Sequence, residues 1–126
     1  MQCDEDDVLI ETLCLEVLID NNAYETAESD YYTVGNVFFN ENCLTLDVSS
    51  SGCDGSTWVF SLIDSENIAE SMPPQRYLKL SLNNDESCLA VFTKEISFDL
   101  LPLRIEGTNE VLLNIEGFNE PILYAY

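Results

Sequence analysis

Apolar residues fall on every second position in a series of short runs along this chain, and each run is closed by a polar turn. Successive side chains of an extended strand point to opposite faces, so such a run lines one face of a half-buried β-strand. Residues 31–50 carry the clearest case. YYTVGNVFF and CLTLDVSS flank the polar trio Asn40, Glu41 and Asn42, and Leu44, Leu46 and Val48 share one parity. That pattern predicts a hairpin with those three side chains in the core. SSGCDGST then supplies a tight turn, after which Trp58, Phe60 and Leu62 alternate with Val59, Ser61 and Ile63. A strand that is apolar on both faces belongs near the middle of a sandwich.

The rest of the chain extends the pattern. DSENIAESMPPQ, with Pro73 and Pro74, reads as a crossing connection that ends the strand. Leu78, Leu80 and Leu82 line one face of residues 76–82, with Tyr77, Lys79 and Ser81 on the other. After the turn NNDES, Cys88, Ala90, Phe92, Ile96, Phe98 and Leu100 share a parity that Lys94 interrupts. A lysine on the inner parity predicts a bulge, or a strand leaving the core there. VLLNIE and PILYAY add two strands across the turn GFNEP.

Upstream, LCLEVLI at 13–19 alternates Leu13, Leu15, Val17 and Ile19 against Cys14, Glu16 and Leu18. Ile10, Leu13, Val17 and Leu18 also stand at helical spacing, but the β-branched Val17 and Ile19 favour a strand. NNAYETAESD at 21–30 reads as a solvated connection rather than a short helix over one edge. The expected fold is all-β: a single-domain antiparallel β-sandwich of about seven or eight short strands. It spans residues 8–126, behind a flexible acidic tether at 1–7.

Charge narrows the partners. The 24 acids against 4 Lys and Arg give a formal net charge of −20, so free nucleic acid and anionic membrane surfaces are poor partners. Six Phe, six Tyr and one Trp exclude an acidic disordered tail. No run approaches the roughly 18–20 apolar residues that span a bilayer, so membrane attachment is expected only through a lipid anchor. The four cations, Arg76, Lys79, Lys94 and Arg104, are too sparse for a phosphate site. They are expected to pair with neighbouring acids, each exposed pair contributing about 0–1 kcal/mol.

Histidine is absent, which removes the commonest general base and the triads built on it. GxSxG, Walker, GxGxxG and HExxH motifs are absent too. The chain therefore reads as non-catalytic, with no cofactor. Calcium is the chemical alternative, because Asp20, Asp54, Asp85 and Glu86 lie in predicted turns where oxygen ligands converge. None has EF-hand spacing, and turns attract Asp and Asn for backbone bonding in any case. Tyr24, Tyr31, Tyr32, Phe38 and Phe39 lie in or beside the acidic early loop and form a candidate surface for an unknown protein or glycan partner. A further alternative is an acidic nucleic-acid mimic that occupies a DNA-binding protein. Such an inhibitor is expected in the cytosol, with reduced cysteines.

Five cysteines, Cys3, Cys14, Cys43, Cys53 and Cys88, include no CxxC pair, so a zinc site is not expected. With Cys3 set aside, four remain, compatible with two disulfides of about 2–4 kcal/mol each. Four cysteines allow three connectivities. Cys53 with Cys88 is favoured, because both stand where a Gly- or Asn-rich turn runs into a strand, and Cys14 with Cys43 then remains. Buried reduced thiols are the alternative.

The stretch CDEDD, beginning at Cys3, resembles the mature N-terminus of bacterial lipoproteins, and in particular the acidic export tract that follows the acylated cysteine in surface lipoproteins of the Bacteroidota. Over roughly residues 43–126, the pieces SGCDGSTW, PPQRYLKLSL, ESCLAVFTKEISFDLLPL and PILYAY are similar to a group of small flavobacterial lipoproteins without an assigned activity. The resemblance implies lipid attachment at Cys3, with Met1 and Gln2 preceding the acylated position. It also implies a periplasmic or cell-surface location on the outer membrane. The function expected is a binding or scaffold domain of the cell envelope, anchored or secreted.

Overall fold

The computed structural model describes residues 14–126. The tether at 1–7, Cys3 and Leu13 lie outside the described residues. In chain order the elements are β1 (Leu15–Glu16), β2 (Leu18–Ile19), α1 (Asn21–Thr26), β3 (Thr33–Asn40), β4 (Cys43–Gly52), β5 (Val59–Ala69), β6 (Gln75–Asn83), β7 (Ala90–Asp99), a 3-10 turn (Leu101–Leu103), β8 (Glu110–Ile115) and β9 (Ile122–Ala125). They build two sheets, ordered β1-β7-β4-β3 and β2-β5-β6-β8-β9.

One core fills the space between the sheets. Leu44, Leu46, Val48 and Phe98 enter it from the first sheet; Leu62, Leu78, Leu82, Val111 and Leu113 enter from the second. Each is fully or almost fully buried, which for side chains of this size contributes about 1.5–3 kcal/mol apiece. The alternation read from the sequence therefore holds at Leu44, Leu46 and Val48, at Phe60 and Leu62, and at Leu78, Leu80 and Leu82.

Five features differ from the sequence reading. The sheets are mixed rather than wholly antiparallel: β1–β7, β2–β5 and β6–β8 run parallel. Period-two alternation is common to both pairings and carries no strand direction. Residues 15–19, expected as one strand, split between the sheets. Val17, buried at the crossing, lies between β1 and β2, while Leu15, Leu18 and Ile19 remain exposed.

DSENIA is no crossing connection, because β5 continues to Ala69 and turns back antiparallel into β6. Asp64 keeps its place in the ladder opposite Leu78, and the pairing shifts only between it and Ile68, where Glu66 takes the left-handed region at φ 70°. The expected bulge at Lys94 is absent as well. β4 and β7 pair residue for residue from Cys43↔Asp99 to Gly52↔Ala90. Lys94 keeps its inner position because its ammonium leaves the sheet and donates to the Gly55 carbonyl at 2.8 Å, over the Trp58 ring, as long cationic side chains do.

The acidic early segment holds a helix after all. Asp20 caps α1 by accepting from the Ala23 N–H at 3.2 Å. Asn21 then docks the helix on the β5 irregularity, donating through its side chain to the Ser65 carbonyl at 2.9 Å and through its backbone to Glu66 Oε2 at 3.0 Å.

Candidate functional site

At one end of the first sheet, three pieces of chain meet where β4 runs out. They are the turn at 53–57, the segment 84–88 before β7, and Asp30–Tyr31 before β3. The Cys53–Cys88 disulfide ties the first two. Glu86 ties them a second time. Its Oε1 accepts from the N–H groups of Cys53, Asp54 and Gly55 at 2.8, 3.2 and 2.9 Å. Its Oε2 accepts from the N–H and hydroxyl of Thr57 at 3.1 and 2.6 Å. The Thr57 hydroxyl, with the N–H groups of Gly55, Thr57 and Cys53, outweighs desolvation and brings the Glu86 carboxyl down to about 2.

Local sequence makes this nest. Gly55 adopts φ 75°, which favours glycine. A Cβ at Gly52 would run into the Glu86 carboxylate and the Trp58 indole.

Asn84 completes the frame. Its amide donates to the Ser51 carbonyl at 2.6 Å, its Oδ1 accepts from the Glu86 N–H at 2.9 Å, and its own N–H donates to Asp30 Oδ2 at 2.7 Å. The Ser50 hydroxyl donates to the Tyr31 carbonyl at 2.7 Å. Over this frame lies an open groove of about 430 Å³, walled by Asp30, Tyr31, Thr33, Ser49, Ser51 and Val91 among others. The Tyr31 side chain is 79% exposed on its rim.

The aromatic candidates do not form one surface. Tyr31 alone of the five lines this groove. Tyr24 lies under the Lys79 ammonium, 4.6 Å from the ring centre, and burial together with Glu116 and other acids raises its pKa. Tyr32 packs edge-on against Phe60 and donates to the Leu80 carbonyl; burial, then Glu116, raises its pKa. Phe38 and Phe39 are consecutive on β3 and so face opposite ways. Phe39 stacks on Tyr124 with centroids 6.0 Å apart.

Of the four cation candidates, Asp54, Asp85 and Glu86 fall in this one loop cluster, the Asp54 N–H donating to Glu86, but their carboxylates are engaged separately and Asp20 lies apart. Asp20 caps α1, Asp54 Oδ1 accepts from the N–H and hydroxyl of Ser56, and Glu86 is filled by the donors above. Asp85 is exposed. Among the described residues no group of three or more acids or cysteines is placed to hold a metal ion.

The cations depart from the expected exposed pairing. Arg76 is buried and pairs with the buried Asp64 at 2.9 Å while donating to the Leu103 carbonyl. Lys79 approaches Glu116 only at 3.9 Å and donates to the Tyr24 carbonyl. Lys94 takes the Gly55 carbonyl. Arg104 donates to Asn42 Oδ1 and the Tyr124 hydroxyl, 4.9 Å over the Tyr126 ring.

No protein-family model and no curated protein matches the sequence. Several solved chains share the fold, and two of them serve for comparison. A DUF1344 protein of unknown function from Bacteroides vulgatus superposes with TM-score 0.57 at 13% identity, covering 90% of this chain and 56% of its own. A protein from Parabacteroides distasonis named as toxin-related gives 0.55 at 14% identity, covering 87% and 60%. The chain thus spans little more than half of either neighbour, and at that identity the likeness is one of fold.

The structure joins Cys14 to Cys43 and Cys53 to Cys88. Two such bridges point to an oxidising compartment outside the cytoplasm. Among the described residues no helix is long and apolar enough to cross a membrane.

Proposed function

We propose that this protein is a non-catalytic binding domain of the cell envelope, anchored through a lipid on Cys3, and that the groove at Tyr31 takes a neutral glycan. The observation that carries the reading is an exposed aromatic ring on a frame held by a disulfide and by the Glu86 nest. An ordered frame lowers the entropic cost of ligand capture. A tyrosine face with neighbouring hydroxyls suits the apolar face and hydroxyl rim of a sugar ring. The disulfides favour this reading over a cytosolic nucleic-acid mimic, and the acid excess disfavours anionic ligands.

Screening against neutral oligosaccharides tests the groove. Binding lost in Tyr31→Ala, with an unchanged thermal midpoint, supports it; no binding by the wild type sinks it. The anchor is tested by the intact mass of protein recovered from membranes, which should carry acyl chains that Cys3→Ser lacks.

A further inference from the structure

Strand β3 is the edge of its sheet. It pairs with β4 on one side, and among the described residues no strand lies on the other. Seven of its eight residues are exposed, including Val37, Phe38 and Phe39. Protected edges carry lysine, proline or a covering element, whereas TVGNVFFN contains neither residue. The register shift between Val34 and Val37 bends only the first half, leaving the regular run Val37–Asn40 beyond it. Beside the edge lies a second groove of about 430 Å³, lined by Tyr32, Val34, Val37 and, across from them, Gly117, Phe118 and Asn119 of the β8–β9 turn. An unpaired backbone edge with an adjoining side-chain groove is the geometry of strand addition.

Charge selects what is added. The chain carries −20, and each of its four cations is committed to an internal carbonyl, carboxylate, amide or ring. Acids flank the strand: Glu28 and Asp30 before it, Glu41 after it, and Asp47 beside the bend, where Asn36 donates to it. A second copy of this chain is repelled from the edge, and so is a polyanion. We infer that β3 is a docking edge for an extended, lysine- or arginine-rich segment of a partner protein, which joins the sheet through its backbone and places alternate side chains over the groove.

The test uses three synthetic octapeptides: alternating lysine and valine, alternating glutamate and valine, and alternating lysine and proline with each lysine N-methylated on its backbone. The last keeps the charge but removes the backbone donors of both parities. The expected result is binding of the lysine–valine peptide at least about tenfold tighter than either other, weakening as salt rises, with new amide-exchange protection in β3. Val37→Lys places a cation on the edge and should lower that affinity about tenfold.

Equal binding of the lysine–proline peptide would reduce the effect to bulk attraction and overturn the inference. So would β3 amides already protected on both edges in the free protein, or a dimer formed through β3. The peptide comparison decides even if Val37→Lys fails to fold. Tyr31→Ala should leave peptide binding unchanged, which separates this inference from the glycan reading.

Discussion

Asp64 and Glu86 each hold a cluster of donors, one inside the fold and one at its rim, and they differ in what their charge costs. Asp64 is fully buried. Its Oδ2 meets Arg76 and the Glu66 N–H, both at 2.9 Å, but Oδ1 finds no partner. Desolvation outweighs the help of the Glu66 N–H and Arg76, and the carboxyl is raised above its ordinary range. Glu86 stands at a solvent-reached loop, fills both oxygens with protein donors and is lowered to about 2. A carboxylate at the rim organises backbone with little desolvation. One in the interior depends on its partner.

That dependence gives the largest predicted effect. Arg76→Leu leaves Asp64 buried without its counter-charge and should cost about 3–5 kcal/mol in urea unfolding. Asp64→Leu combined with Arg76→Met should recover most of the loss, since a buried ion pair is replaceable by apolar packing. A double variant as unstable as Arg76→Leu would show that the pair has a role beyond its own compensation. At the rim, Cys53→Ser with Cys88→Ser should cost about 2–4 kcal/mol. Because Glu86 still spans the same two segments, the loss should fall toward the lower end, and adding Glu86→Gln should cost more in the disulfide-free protein than in the wild type.

The two regions were unequally legible in the sequence. Turns and inner faces of β4, β5, β6 and β8 follow from alternation, because burial on one face imposes a period that local sequence records. Strand direction, the division of residues 15–19 between two sheets, and the β5–β6 hairpin depend on pairings across the chain and leave no local period. Arg76 stands in line with Leu78, Leu80 and Leu82, and Asp64 in line with Trp58, Phe60 and Leu62. Both inner parities were readable signs of a buried pair, but the polar composition of DSENIA resembles a connection, and the register shift comes only after Asp64. Glu86 looked like a metal ligand because a turn acid aimed at a cation and one aimed at backbone N–H groups have the same sequence signature. Convergence of Cys53–Gly55 and Thr57 on its carboxylate needs the fold.

Titration of the two carboxylates gives the smallest effect and the sharpest contrast. Glu86 has a folded value of about 2 against an ordinary 4.5, so its contribution is complete above the unfolded value and is lost as pH falls from there toward 2. The deficit of Glu86→Gln relative to wild type should therefore be largest near neutral pH and shrink through that window. Asp64 is raised above 3.8, so the folded protein holds its proton more tightly than the unfolded chain does. Its contribution falls as pH rises from 3.8 through the folded value, and Asp64→Asn should gain on the wild type over the same rise. Urea midpoints of the three proteins between neutral pH and pH 3 should give difference slopes of opposite sign. Slopes of the same sign would mean that Asp64 is held ionised by Arg76 as firmly as Glu86 is by its loop, and the contrast between interior and rim would then lie in packing rather than in charge.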